Sequence, residues 1–185
     1  LIGDIGNTYI KLSVLNDNLS IKKIYNIKTI EIINNQYKRN FFTKLNKKKF
    51  KKKILFSSVV PKAFKKIKSI LTRKKFKVLE IKNLKIKKIL KIKIKNYDQL
   101  GSDRISNALG SLIYKNTLVI DFGTATTFDI IEKGTYEGGV ISPGVNLSIS
   151  NLNKSTALLP LLNLKNAKNI YGKNTQEALN AGFIW

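Results

Sequence analysis

Hydrophobic and polar positions alternate at the start of the chain in the manner of short β-strands separated by turns. Apolar stretches at residues 1–5, 9–15 and 19–27 are broken by turn-forming residues at 6–8 and 16–18. This pattern predicts a three-stranded meander. From Thr29 to Leu45 the apolar spacing widens, which is compatible with a helix.

Further along the chain, strand-like and helix-like spacings succeed one another. The predicted strands are Ile54–Val60, Phe76–Ile81 and the Ile/Lys alternation Ile86–Lys95, and the predicted helices are Lys62–Leu71 and Ser102–Tyr114. Lysines at alternate positions suit an exposed edge strand, because they discourage pairing with a second chain. Ser102 is a candidate N-cap for its helix.

The strand–turn–strand pattern of the first residues then returns. Shifting the chain by 117 positions aligns Leu1–Thr8 with Leu118–Ala125, and in both copies an apolar strand ends in Asp-x-Gly. Further strands at 128–131 and 136–141 precede helical segments that begin at Pro143 and Asn174. The sequence therefore predicts an α/β fold of two similar halves, residues 1–115 and 116–185.

Composition excludes several kinds of chemistry. The 185 residues include no histidine and no cysteine, so Ser-His-Asp and Cys-His catalysis, the usual zinc sites and disulfides are excluded. No apolar run is long enough to span a bilayer and no signal-peptide pattern opens the chain. We therefore expect a soluble cytoplasmic protein whose chemistry uses carboxylates, hydroxyls, amines and backbone groups.

The net charge of +24 is distributed very unevenly. Residues 1–100 carry a net charge of +23 and residues 101–185 a net charge of +1, and only three of the 35 basic residues are arginine. Base readout and bidentate phosphate clamps favour arginine, so we interpret the lysines as solvated faces from compositional drift. The alternative is nonspecific contact with a nucleic-acid backbone, which would depend steeply on salt.

The two Asp-x-Gly hairpins suit a nucleotide phosphate site. Gly6 and Gly123 permit positive φ and close approach of backbone N–H groups to a phosphate. Asp4 and Asp121 need a cation between their carboxylates and phosphate oxygens, which implies hydrated Mg²⁺ or another hard ion. A single such turn is weak evidence, but two facing hairpins could hold a polyphosphate between them.

A third feature, Gly101-Ser102-Asp103-Arg104, opens the helix that joins the two halves. Its simplest interpretation is a helix cap, in which an acid near the N-terminus complements the helix dipole. The functional interpretation makes Asp103 a base that accepts a hydroxyl proton and Arg104 an anion clamp. Phosphoryl transfer needs mainly positioning, charge neutralisation and one such carboxylate.

Five ordered motifs together resemble a known family, type III pantothenate kinase. They are Asp4-x-Gly6-Asn7-Thr8-x-x-Lys11, Gly101-Ser102-Asp103-Arg104, Asp121-x-Gly123-Thr124-Ala125-x-Thr127-x-Asp129, Gly138-Gly139-x-Ile141-x-Pro143-Gly144 and Gly172-x-x-Thr175. The resemblance implies a duplicated ribonuclease-H-like fold of the actin-like ATPase type, with the second half truncated. It also implies a homodimer that phosphorylates pantothenate with ATP, the first step of coenzyme A synthesis.

The same resemblance implies roles for individual residues. ATP would contact the first loop and Thr124, pantothenate would bind Gly101–Arg104 and Thr175, and Asp103 would be the proton acceptor. Asp121 resembles the ligand of a monovalent cation, K⁺ or NH₄⁺, while Mg²⁺ accompanies ATP. The residues of the first loop are Asp4, Ile5, Gly6, Asn7, Thr8, Tyr9, Ile10 and Lys11.

Some features leave alternatives open. The family places its substrate tyrosine further ahead of the Gly-x-Asp-Arg motif than Tyr97 stands here, so Tyr97 is a weaker candidate for pantothenate binding. The chain could instead be a catalytically silent regulator, similar to Bvg accessory factor, that binds DNA through its basic half. It could also be an actin-like kinase with another small acceptor, such as a sugar. The carboxylates at positions 4, 103 and 121 favour an enzyme, with no nucleic-acid or membrane partner expected.

Overall fold

The computed structural model describes residues 1–37, 41–42, 52–164 and 170–184, which adopt an α/β fold. The first sheet has the spatial order β3-β2-β1-β4-β5. Its strands are β1 Ile2–Ile5, β2 Tyr9–Leu15, β3 Ile21–Lys28, β4 Lys53–Ser58 and β5 Lys77–Glu80. β2 is antiparallel to β1 and β3, whereas β1, β4 and β5 are parallel. This is a ribonuclease-H-like sheet, and the predicted α/β class is confirmed.

Among the described residues, two helices with defined bounds accompany this sheet. Helix α1, Thr29–Ile33, follows β3, and helix α2, Pro61–Arg73, makes the crossover that parallel strands β4 and β5 require. Pro61 occupies the first position of α2, where its missing N–H costs no hydrogen bond. The predicted helix from Thr29 to Leu45 starts where expected, but α1 already ends at Ile33; residues 38–40 and 43–51 lie outside the described residues.

The remaining elements follow β5. They are β6 Lys91–Ile92, α3 Ser102–Gly110, β7 Asn116–Phe122, β8 Ala125–Glu132, β9 Thr135–Pro143, α4 Val145–Lys154 and α5 Thr175–Ile184. The second sheet has the order β6-β9-β8-β7. In the described part of the chain, no helix has the length and hydrophobicity needed to cross a membrane.

The chain divides into two compact units. The first comprises Leu1–Val119 and Asp129–Gly138, and the second comprises Ile120–Phe128 and Gly139–Trp185. The predicted halves 1–115 and 116–185 were defined by the sequence repeat and not by compactness. This division stays a prediction.

Two hydrophobic clusters form the core of the first unit. One packs the first sheet against α1 and α2 and includes Ile5, Phe56 and Ile67, all with no exposed surface. The other surrounds α3 and includes Ile105 and Tyr136. Each large side chain buried in this way stabilises the fold by about 1.5–3 kcal/mol. The clusters therefore hold β1, which carries Asp4, and α3, which carries Asp103 and Arg104.

The predicted repeat is visible in the strands. β1 and β7 end at Ile5 and Phe122, which differ by the predicted 117 positions, and β2 and β8 end at Leu15 and Glu132 with the same offset. The backbone N–H of the glycine in each turn donates to the strand that follows: Gly6 to the Tyr9 carbonyl and Gly123 to the Ala125 carbonyl, both at 3.0 Å.

The prediction of positive φ at the two turn glycines was wrong, whereas close approach to a phosphate stays a prediction. Neither Gly6 nor Gly123 has a positive φ, whereas Gly134 and Gly138 do. At Gly6 an added methyl group would lie 3.3 Å from the Tyr9 oxygen, a tight contact, whereas at Gly123 it would lie 3.4 Å from the Ala125 oxygen, an ordinary van der Waals distance.

Two other local predictions need correction. Of the strand predicted at 86–95, only Lys91–Ile92 is extended and paired, and a short 3₁₀ helix occupies Ile86–Lys88. The N-cap of α3 is Gly101, and Ser102 is its first helical residue. Ser102 is buried and its hydroxyl donates to Glu80 Oε1 at 3.2 Å, so it serves packing between elements rather than capping.

Candidate active site

The first hairpin presents polar side chains at the end of a buried strand. Ile5 and Ile10 are fully buried and fix the two strands, while Asn7, Thr8 and Tyr9 are exposed in the turn. Asp4 and Lys11 occupy directly opposed positions on β1 and β2 and are both exposed. Opposed positions on antiparallel strands place side chains on the same face, so this hairpin pairs an acid with a base.

Thr29 holds this turn from the start of α1. Its hydroxyl donates to the Gly6 carbonyl at 2.7 Å, and its backbone N–H donates to the Thr8 carbonyl at 3.0 Å. Thr29 is only 1% exposed, so both bonds are shielded from water. The turn carbonyls are therefore fixed from one side.

The N-terminus of α3 carries the second group of candidate residues. Asp103 Oδ1 accepts a hydrogen bond from the Arg104 backbone N–H at 2.8 Å. A methyl group on Gly101 would overlap this oxygen. Glycine at 101 thus leaves room for this position of the Asp103 carboxylate, which a larger residue would displace.

The structure brings α3 and the first hairpin together. The Val59 backbone N–H donates to the Ile5 carbonyl at 3.0 Å, at the point where β1 ends. A methyl group on Gly101 would lie 3.6 Å from Val59 Cγ1. Val59 therefore connects the end of β1 with the helix start that carries Asp103 and Arg104.

Arg104 forms a buried ion pair with Asp129. Arg104 Nε donates to Asp129 Oδ1 at 2.6 Å, with 13% of the arginine side chain and none of the aspartate exposed. The Tyr136 hydroxyl donates to the same oxygen at 2.8 Å. Burial first, and then the bond to Asp129, raise the pKa of Tyr136 above its ordinary value. The phenol thus stays protonated and remains a donor.

Tyr97 lies in a short 3₁₀ helix ahead of Gly101. Its ring is partly buried against the cluster around α3, and Lys87 Nζ lies 4.8 Å from the ring centroid. Burial and the nearby charge of Asp98 raise the pKa of its phenol. A pantothenate contact by Tyr97 stays a prediction.

The second hairpin belongs to the second unit. Asp121, Gly123 and Thr124 are exposed around its turn. The Gly144 backbone N–H donates to the Thr124 carbonyl at 3.1 Å, and a methyl group on Gly144 would overlap the Gly123 oxygen. Gly144, at the N-cap of α4, thus holds this turn as Thr29 holds the first one.

Thr175 is the first residue of α5 and is exposed. The preceding Asn174 accepts the Glu177 backbone N–H at 2.9 Å through its side-chain oxygen. A methyl group on Gly172 would overlap Glu177 and Ala178, so Gly172 packs directly against the start of the helix. Thr175 stays a predicted substrate contact.

A cation at Asp121 would be held mainly by groups other than carboxylates. Across residues 1–37, 41–42, 52–164 and 170–184, no three acidic side chains cluster as metal ligands. The second turn supplies the Asp121 carboxylate, backbone carbonyls and threonine hydroxyls. Such oxygen donors fit a hard cation.

Comparison with known proteins identifies the family of the chain. The family model described as type III pantothenate kinase matches residues 1–185. The chain belongs to the type III pantothenate kinase family.

Similar proteins with this family name occur in other proteomes, including those of two bacteria. The type III pantothenate kinase of Pelagibacter ubique is 44% identical over 190 residues, which cover 100% of this chain and 75% of that protein. That of a Sulfurihydrogenibium species is 38% identical over 196 residues, which cover 97% of this chain and 74% of that protein.

The fold also matches a solved structure. A conserved Baf-family protein from Campylobacter jejuni superposes with a TM-score of 0.59 at 20% identity, covering 98% of this chain and 72% of that one. At this identity the likeness concerns the fold alone.

Sequence reasoning gave no role to four residues of this pantothenate kinase family member. Asp129 and Gly144 were part of recognised motifs, but nothing showed what they contact. Thr29 and Tyr136 stood outside every motif. Their partners lie between 7 and 25 positions away in the chain, on other elements.

Proposed function

We propose that the chain transfers the γ-phosphoryl group of ATP to the primary hydroxyl of pantothenate, the first step of coenzyme A biosynthesis. The observation that carries this proposal is the family match over residues 1–185. The position of Gly101–Arg104 beside the end of β1 supports it, because phosphate loop and acceptor residues must be close together for transfer.

Asp103 is the proton acceptor in this proposal. The proton of the pantothenate hydroxyl passes to a carboxylate oxygen of Asp103, and the hydroxyl oxygen forms a bond to the γ-phosphorus. The bond from that phosphorus to the bridging oxygen breaks, and ADP leaves. Positioning and charge neutralisation contribute most of the acceleration in such reactions.

The first hairpin binds ATP in this proposal, with backbone groups of Gly6–Thr8 and the Lys11 ammonium facing the phosphates. Thr124 contacts the nucleotide from the second hairpin, and Thr175, together with Gly101–Arg104, binds pantothenate. Asp121 would hold K⁺ or NH₄⁺ and Mg²⁺ would accompany ATP, and these cations would neutralise phosphate charge. A homodimer in the cytoplasm is part of the same proposal.

The test is a coupled assay of ADP release with pantothenate, with glucose and without acceptor. We expect release that depends on pantothenate and increases with K⁺. Release with glucose alone would favour another acceptor, and no release with either would contradict the proposed function. The DNA-binding alternative is not favoured, because the two bacterial relatives described above are named as type III pantothenate kinases.

Replacing Asp103 tests the assigned base. Asp103→Asn keeps an oxygen that can accept the Arg104 backbone N–H but removes the basic carboxylate. We expect kcat to fall by about 100-fold or more, with an unchanged thermal unfolding midpoint. Asp17→Asn, in an exposed turn, is the matched control and should leave kcat unchanged. Normal turnover by Asp103→Asn would reject the role.

A further inference from the structure

The buried ion pair between Arg104 and Asp129 indicates a functional role for Asp129, which lies outside the motif that contains Arg104. We propose that Asp129 is a positioning residue for the acceptor, which fixes the guanidinium of Arg104 so that its outer nitrogen faces an oxygen of pantothenate. This inference rests on the proposed function and names one further residue of the acceptor site.

Stability alone does not account for this pair. Burying a carboxylate and a guanidinium removes both from water, and the attraction between them offsets that cost only when geometry and additional hydrogen bonds are good. Asp129 has no exposed surface and lies beside the hydrophobic cluster that includes Ile131 and Tyr136. Apolar side chains at these positions would fill the same space at no greater cost.

The hydrogen bonds at Asp129 define one edge of the guanidinium. Oδ1 receives both Arg104 Nε and the Tyr136 hydroxyl, and the guanidinium lies 5.9 Å from the Tyr136 ring centroid. Nη2 of Arg104 and Oδ2 of Asp129 are buried and have no hydrogen-bond partner among the described residues. In arginine, Nε and Nη2 share one edge, and of that edge Nε is the atom bonded to Asp129.

This contact determines which guanidinium nitrogen of Arg104 can still bind a ligand. Because Nε is bonded to Asp129 and Nη2 is buried, the nitrogen left for a ligand is Nη1, with its two N–H groups. Arg104 directly follows Asp103 in the first turn of α3. In this proposal, an acceptor whose hydroxyl meets the Asp103 carboxylate extends past Arg104. Its carboxylate and its amide carbonyl are the oxygens that Nη1 can bind.

The experiment compares Michaelis constants for the two substrates. Asp129→Asn keeps the size of the side chain, removes the counter-charge and places an amide N–H opposite Nη2, so the guanidinium turns away. We expect KM for pantothenate to rise about tenfold or more, with KM for ATP within about twofold. Tyr136→Phe removes one bond to Oδ1 and should shift KM for pantothenate in the same direction by about threefold.

Two controls separate positioning from general damage. Glu137→Gln breaks an exposed ion pair with Lys93 at 2.8 Å, on the strand position next to Tyr136, and should change neither KM. Thermal unfolding monitors the fold of each variant. If Asp129→Asn does not fold, Tyr136→Phe carries the test.

The remaining outcomes also decide the proposal. A parallel rise of both KM values, or a lower unfolding midpoint with unchanged KM values, would overturn it. An effect confined to pantothenate and absent with an N-alkyl pantothenamide supports the carboxylate as the bound oxygen, and an equal effect supports the amide carbonyl. ADP release by the wild-type chain tests the proposed function separately. Its dependence on pantothenate is expected whether or not Asp129 positions Arg104.

Discussion

At the scale of single residues, the candidate site depends on glycines that leave room for functional oxygens. Gly101 has ordinary extended backbone angles, φ −61° and ψ 144°, so backbone strain does not explain it. The space beside its Cα is filled by Asp103 Oδ1. A small residue here therefore determines where a carboxylate lies.

Adding one methyl group tests this dependence. We expect Gly101→Ala to displace the Asp103 carboxylate and lower kcat by about 10- to 100-fold, because small misplacements of reacting groups have effects of this size. Steady-state kinetics with pantothenate and ATP measures it.

Gly110 provides the matched control for Gly101. It ends the same helix, and an added methyl group there would meet no atom within 4 Å. Gly110→Ala should leave kcat unchanged and stabilise the protein by up to about 1 kcal/mol, since alanine favours helix more than glycine does. Equal kcat values for both variants would contradict the role of Gly101.

The buried phenol of Tyr136 leads to a second prediction at this scale, which concerns how the free energy of unfolding depends on pH. Its folded-state pKa lies above the ordinary value of 10.0, mainly through burial. The stabilisation from the protonated phenol is therefore fully present below about pH 10 and is lost as the pH rises toward the folded-state pKa, because the unfolded state ionises first.

We expect Tyr136→Phe to reduce the free energy of unfolding by about 1.5–3 kcal/mol at neutral pH, and this difference to narrow above about pH 10. Urea unfolding at several pH values measures it. Tyr114→Phe, at a 60% exposed position, is the control and should show no difference. A constant gap between wild type and Tyr136→Phe across the pH range would argue against the buried bond to Asp129.

At the scale of elements, each turn of the repeat is held by the segment that follows the third strand of its half. Thr29 bonds two carbonyls of the first turn, and Gly144 bonds one carbonyl of the second. The duplicated pattern therefore includes the support of the loops as well as the loops themselves.

Thr29 allows this support to be tested with closely matched variants. Thr29→Val keeps the shape but leaves the Gly6 carbonyl without its hydroxyl donor, whereas Thr29→Ser keeps the donor. We expect Thr29→Val to lower the free energy of unfolding by about 1 kcal/mol and raise KM for ATP by about threefold to tenfold. Thr29→Ser should resemble wild type in both measurements. Identical behaviour of the two variants would exclude the hydroxyl as the cause.

The sequence predicts elements better than it predicts contacts. The 117-residue offset locates β7 and β8 because the apolar period and the Asp-x-Gly turn recur in both copies. The Ile/Lys alternation before residue 96 suggested a longer strand than Lys91–Ile92, because a period of two describes only which faces are apolar. Whether a strand forms depends on a paired neighbour, which here is β9.

The candidate site shows the same limit. The residue types at 4, 103 and 121 could be chosen from the sequence, because phosphoryl transfer needs carboxylates near turns and helix starts. The contacts of Asp129 could not, since Arg104 and Tyr136 reach it from other elements. The sequence around a buried aspartate in a strand does not show whether its carboxylate forms an ion pair.

At the scale of the whole molecule, charge acts in two ways that one experiment separates. The net charge of +24 lies almost entirely in residues 1–100, and both proposed substrates are anions, so a long-range attraction should favour binding. This attraction is screened over about 10 Å at 0.1 M salt. A cation at Asp121, by contrast, depends on the identity of the ion.

We therefore expect different responses to salt and to K⁺. Raising the ionic strength from about 0.05 to about 0.3 M with tetramethylammonium chloride, at fixed K⁺, should increase KM for ATP and pantothenate about twofold to tenfold with little change in kcat. Replacing K⁺ by tetramethylammonium at constant ionic strength should instead lower kcat, because that ion is too large for a site made of oxygen donors. Rates that followed ionic strength alone, whichever cation supplied it, would contradict the proposed cation site at Asp121. The positive charge of the chain would then be the remaining electrostatic contribution to binding.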